Sequence, residues 1–122
     1  MATIYLILVI VVILEHLFFL YMEMFAWETI GKNAFKGALP AHLFTPTKGL
    51  AANQGLYNGF LAAGLIWSLF ITDILWSDQV ALFFLCCVTV AGLYAGFTAS
   101  KRIILIQAMP AILAILFLFL KN

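Results

Sequence analysis

The stretch Thr3-Ile4-Tyr5-Leu6-Ile7-Leu8-Val9-Ile10-Val11-Val12-Ile13-Leu14-Glu15-His16-Leu17-Phe18-Phe19-Leu20-Tyr21-Met22-Glu23-Met24-Phe25-Ala26-Trp27 decides the fold. A helix rises about 1.5 Å per residue, so about 20 apolar residues cover the hydrocarbon layer of a bilayer, and this run is longer than that. Three further segments qualify, at about 50–71, 80–98 and 103–120. The pattern predicts an all-α chain: a polytopic transmembrane bundle of four helices, one domain over residues 1–122, with the lipid bilayer as its first partner.

Composition agrees. With 66% hydrophobic and 9% charged residues, the chain has more apolar surface than one small soluble core can hide. Its mean hydropathy is +1.17. The net charge of +1 contains no basic tract, which removes nucleic acid as a partner. Cys86 and Cys87 are adjacent in an apolar run, with the spacing of neither a redox pair nor a metal site, and read as small apolar fillers. The N-terminus lacks the positive region of a secretory signal and is expected to stay in the mature protein.

Charge placement sets the orientation. Lys32, Lys36 and Lys48 fall in the first connection and Lys101 and Arg102 in the third, which share one side of a four-span chain. Positively charged loops stay cytoplasmic, so both termini are predicted outside, in a multi-pass protein of a plasma membrane. The cytoplasmic connection, 28–49, is the long one. Gly31 can end the first helix, and Thr45-Pro46 can cap and start the second. Phe35, Leu39, Leu43 and Phe44 give the connection an apolar side, fit either for a loop covering a pocket mouth or for a solvated loop with buried anchors.

Ionisable groups inside a span are costly and need a reason. At about 100° per residue, Glu15, Phe19, Glu23, His16 and Trp27 share one stripe of the first helix. The second span carries another in Asn53, Gln54, Tyr57 and Asn58, with Gly55, Gly59 and Ala62 or Ala63 as a small-residue packing face opposite. Tyr94 and Gln107 fall toward the same cytoplasmic half, and Pro110 breaks the fourth helix near that level, freeing the carbonyl of Ile106. Amides and hydroxyls of this kind also serve as interhelical hydrogen bonds. Two carboxyls and an imidazole on one helix point further, to acid–base chemistry by Glu15, His16 and Glu23. Trp27, Asn53, Gln54, Tyr57, Asn58, Tyr94 and Gln107 would then line a pocket for a small amphipathic or lipid-like ligand. Adjacent Glu-His is not a metal-ligand spacing, so no metal or cofactor is expected.

The blocks Glu15–Trp27 and Leu50–Leu61, the second running Leu-Ala-Ala-Asn-Gln-Gly-Leu-Tyr-Asn-Gly-Phe-Leu, resemble a family of short bacterial membrane proteins known as domain of unknown function 1304. The resemblance covers essentially the whole chain and implies a bacterial plasma-membrane protein of four spans, with no activity attached. Length, span number and a carboxylate midway along the first span are also similar to the small multidrug resistance transporters. That likeness implies proton-coupled export, Glu15 as the exchanging group and a homo-oligomer. The chain departs from that pattern at His16, Glu23 and the amide-rich second span, and its strong charge bias opposes dual insertion. The sequence thus favours a pocket with isomerase- or epimerase-like proton transfer, with a transporter or an accessory membrane subunit as the alternatives.

Overall fold

A computed structural model describes all residues, 1–122, and its secondary structure is helical. Five α-helices follow one another: α1 (Ala2–Phe25), α2 (Lys32–Ala34), α3 (Lys48–Phe70), α4 (Ile74–Thr98) and α5 (Met109–Leu120). Two single wide turns of π-helix interrupt the series, at Trp27–Gly31 and Ile104–Ala108. By length and composition α1 and α4 could cross a membrane.

Helix α1 packs on α3 and α5, and α4 packs on the same two, which puts α1 and α4 at opposite corners. Glycines set how closely the helices approach. A Cβ at Gly55 of α3 would lie 2.9 Å from Cβ of Glu23 and 3.1 Å from the carbonyl oxygen of Leu20, so α1 and α3 touch almost backbone to backbone. A Cβ at Gly92 of α4 would come within 2.8 Å of the backbone nitrogen of Ala108.

The core is concentrated at one end. Tyr5, Val9, Val12 and Ile13 of α1 meet Ala62 and Leu65, Ala81, Leu85 and Val88, and Ala111, Ala114 and Leu118 of the other three long helices. Nine of these twelve lie in the half of their helix nearer the Tyr5 end, and Val88, Ala111 and Ala114 carry the packing toward the middle. That end is closed by a paired charge: Lys121 Nζ sits 2.6 Å from Asp78 and 4.6 Å above the Tyr5 ring.

Three local readings of the sequence change. Thr45-Pro46 does not start α3, which begins at Lys48; the Thr45 hydroxyl instead donates to Glu28 at 2.9 Å. Gly31 does not stop the helical path. The break comes at Ala26 (φ −136°), and Gly31 completes a wide turn by donating to the Ala26 carbonyl at 2.9 Å, its missing side chain leaving room for the Trp27 ring. Helix α4 begins ahead of the apolar segment at 80, because Asp73 caps it by accepting from the Trp76 amide at 3.0 Å.

Candidate functional site

The Trp27 end of the molecule is hollow where the Tyr5 end is packed. The wide turn at Ile104–Ala108 is one cause. Pro110 has no N–H to offer the Ile106 carbonyl, and the helix relaxes just before it, with the Met109 amide reaching back to Ile104. This rotates Gln107 inward, where it is nearly buried. The second cause is α4: Gly92 and Gly96 take up Ala108 and Ile104, and the adjoining row Ala91, Ala95, Ala99 is too short to fill the space beside them.

Two cavities result. The first, about 440 Å³, is lined by Glu23, Gln54, Tyr57, Asn58 and Gln107, together with Phe19, Met22, Phe60, Leu61 and the alanine row. Glu23 is buried and its Oε1 accepts from Asn58 Nδ2 at 2.7 Å, an aim fixed by the close α1–α3 approach at Gly55. Tyr57 and Phe60 are more than half exposed, so this cavity opens sideways between α3 and α4.

The second cavity, about 480 Å³, holds Glu15. It lies between α1, the segment Ala34–Ala38 and the α4–α5 connection, with Lys36 and Arg102 on its wall. Glu15 Oε2 is buried without a hydrogen-bond partner. Phe19, Met22, Phe35, Ala99 and Ile103 border both cavities, so the two are neighbours across a thin apolar wall.

His16 is fully buried and lines neither cavity. Its Nδ1 is 2.8 Å from the Val12 carbonyl oxygen and its Nε2 is 3.1 Å from Gln107 Nε2. A carbonyl can only accept and an amide nitrogen can only donate, so with the Gln107 amide in this orientation the ring donates from Nδ1 to Val12 and accepts at Nε2 from Gln107. Neither ring nitrogen is free for a ligand. Its part in this geometry is to hold Gln107.

The other residues singled out from sequence divide. Gln54, Tyr57, Asn58 and Gln107 come together around Glu23. Asn53 and Tyr94 are exposed and border neither cavity. Trp27 lies beneath the loop: its Nε1 donates to the Thr47 hydroxyl at 3.0 Å, and its ring packs 5.4 Å from Phe35 and 5.0 Å from Phe44. It therefore holds Phe35 in the wall of both cavities. An outer tie reinforces this, with Glu28 bound to Lys48 at 3.1 Å and to the Thr45 hydroxyl. These partners, Lys48 first, hold the Glu28 carboxyl below the usual carboxylate range.

Sequence reasoning missed Lys36 and Arg102, which were read for their topological meaning alone. Their signal is that each lies where the chain turns back over the end of α1. No three His, Cys, Asp or Glu side chains form a metal-binding group.

Residues 10–119 match the family described as protein of unknown function (DUF1304). The uncharacterized protein YpaA of Lactococcus lactis is 30% identical over 124 residues, spanning 95% of this chain and 97% of that relative. No solved structure matches. A match over nearly the full length, taking in the Glu15–Trp27 block that borders both cavities and the Leu50–Leu61 block that borders the first, means that this chain belongs to the DUF1304 family.

Proposed function

We propose that this is a four-span integral membrane protein, with both termini outside, that takes a small amphipathic molecule into its cytoplasmic end and moves a proton on it. The pairing of Glu23 with Gln54, Tyr57, Asn58 and Gln107 around one void, beside a second void holding the unpartnered Glu15, is the observation that carries the reading. Around the outside, large apolar side chains such as Ile7, Leu14, Phe83, Leu116 and Phe119 are exposed on α1, α4 and α5, an amount of bare hydrocarbon that lipid accommodates and water does not. The 23 residues of α3 reach about 34 Å, and 104–120 reaches about 25 Å, enough to accompany α1 and α4 across.

The chemistry is divided between two carboxyls. Glu23 is aimed by Asn58, and Glu15 has an oxygen with no partner, so either can take or return a proton while the amides and Tyr57 orient the ligand. His16 acts through Gln107. Close packing of Val9, Val12, Leu65, Leu85 and Val88 at the far end favours a one-sided pocket over a through-going transport route.

A test that needs no known substrate uses solvent isotope. Purified protein incubated with a bacterial lipid and metabolite extract in D2O is expected to place deuterium on carbon in at least one amphipathic species, seen by mass spectrometry. Glu15→Gln and Glu23→Gln are each expected to slow this at least 100-fold, the scale of a lost general acid or base. Absence of such incorporation in the parent removes the proton-transfer reading.

A further inference from the structure

The Glu15 cavity has a polarity the proposed acid–base reading does not use. Lys36 and Arg102 reach its wall from two different segments, and neither forms an ion pair within the chain. Lys36 also borders a separate hollow of about 550 Å³ under the loop, together with Lys32. Deeper in, Glu15 presents a buried oxygen that accepts nothing. Phe18 and Ile106, also on its wall, are about half exposed, which opens the cavity toward the surroundings of the helices. From rim to interior the order is two free cations, a void of ligand size, then a hydrogen-bond acceptor, with an apolar exit to one side.

We propose that this cavity seats the headgroup of a phosphate-bearing amphiphile. Lys36 and Arg102 hold the phosphate at the rim, Glu15 Oε2 accepts from a hydroxyl of the headgroup, and the hydrocarbon tail leaves past Phe18 and Ile106. Arg102 suits a phosphate because its planar donors match two oxygens at once, and Lys36 adds a second charge from the loop side. A fatty acid would satisfy the cations and leave the Glu15 oxygen without a donor. A neutral lipid would leave both cations idle. A phosphate ester with a hydroxyl two or three carbons away satisfies all three groups. The proposal rests on the membrane placement and ligand-binding part of the reading above, and is independent of whether proton transfer occurs.

Binding is measured by native mass spectrometry on the whole protein in detergent. The probes are phosphatidylglycerol, phosphatidylmethanol (equal charge, no headgroup hydroxyl), and glycerol 3-phosphate as the tail-free source of the same chemistry. Phosphatidylglycerol is expected to bind about tenfold more tightly than phosphatidylmethanol, the value of one well-placed hydrogen bond to a charged group. Glu15→Leu should erase that preference. The double variant Lys36→Gln/Arg102→Gln should weaken both lipids by more than tenfold, while Lys101→Gln, next in sequence and away from the cavity wall, should leave them unchanged. Tight binding of glycerol 3-phosphate alone would assign the site to a soluble phosphate ester and overturn the amphiphile. Equal losses in Lys101→Gln and Arg102→Gln would mean diffuse attraction of anionic lipid to a basic surface and would overturn the site. If Lys36→Gln/Arg102→Gln keeps full lipid binding while deuterium transfer still depends on Glu15, this assignment fails and the reaction stands. If transfer is absent but the lipid losses appear, the reverse holds.

Discussion

The hydrogen bonds of His16 make a sharp statement about one side chain. Val12 and Gln107 between them occupy both ring nitrogens at zero exposure, so removing one partner strands a buried polar atom. Gln107→Leu is expected to lower stability by about 1–3 kcal/mol, the cost of leaving Nε2 unsatisfied. The double variant His16→Leu/Gln107→Leu should recover part of that loss, since removing both members of a polar pair is gentler than removing one. Thermal unfolding of the purified protein reads both, and a double variant less stable than Gln107→Leu would contradict the pairing. At this scale sequence carries less than it suggests. Tyr94 and Gln107 look alike as polar groups in apolar runs. Tyr94 lies about 200° around α4 from Gly92, the face that meets Ala108, and so points away. Asn53 stands in the same relation to Gly55 on α3 and is turned outward for the same reason.

At the scale of elements, small residues determine where helices touch and where they part. Gly55 and Gly59 were expected to pack on the face opposite the amides. Both meet α1 instead, against Glu23 and Leu20, and Asn58 joins them there, so packing and polar contact are one surface. The all-helical character was legible from apolar run lengths, and the Glu15–Glu23 stripe from the 3.6-residue period. That Phe19 and Met22 would split the space along this stripe into two chambers was not, because the division depends on Phe35 arriving from a loop. The wide turns were not legible either; a proline marks a break without saying whether the helix kinks or widens. Gly92→Ala should cost about 1–3 kcal/mol by pressing a methyl group on the Ala108 backbone. Gly49→Ala, in the first turn of α3 with nothing within 4 Å, should instead add about 0.4–1 kcal/mol. Comparing their melting temperatures tests whether the α4 contact is as tight as described.

For the whole molecule, the proposed topology makes a prediction independent of chemistry. With Cys86 and Cys87 replaced by alanine, a cysteine introduced at Asn33 should react with a membrane-impermeant maleimide only after the cytoplasmic face is opened. One introduced at Asn122 should react in intact cells. The opposite pattern would invert the chain and place both cavities on the outer side. The Glu23 and Glu15 chambers share the end that carries Lys32, Lys36, Lys48, Lys101 and Arg102, so topology and ligand access stand or fall together.

A scaffold that is solid at one end and empty at the other separates what keeps it standing from the space it leaves open. Ala91, Ala95 and Ala99 border open space and can grow without displacing a neighbour, while Ala62, Ala81, Ala111 and Ala114 are already sealed on every side. Under the proposed function, ligand preference is therefore free to drift by single steps along this one row, and an engineer wishing to re-aim the protein would begin there.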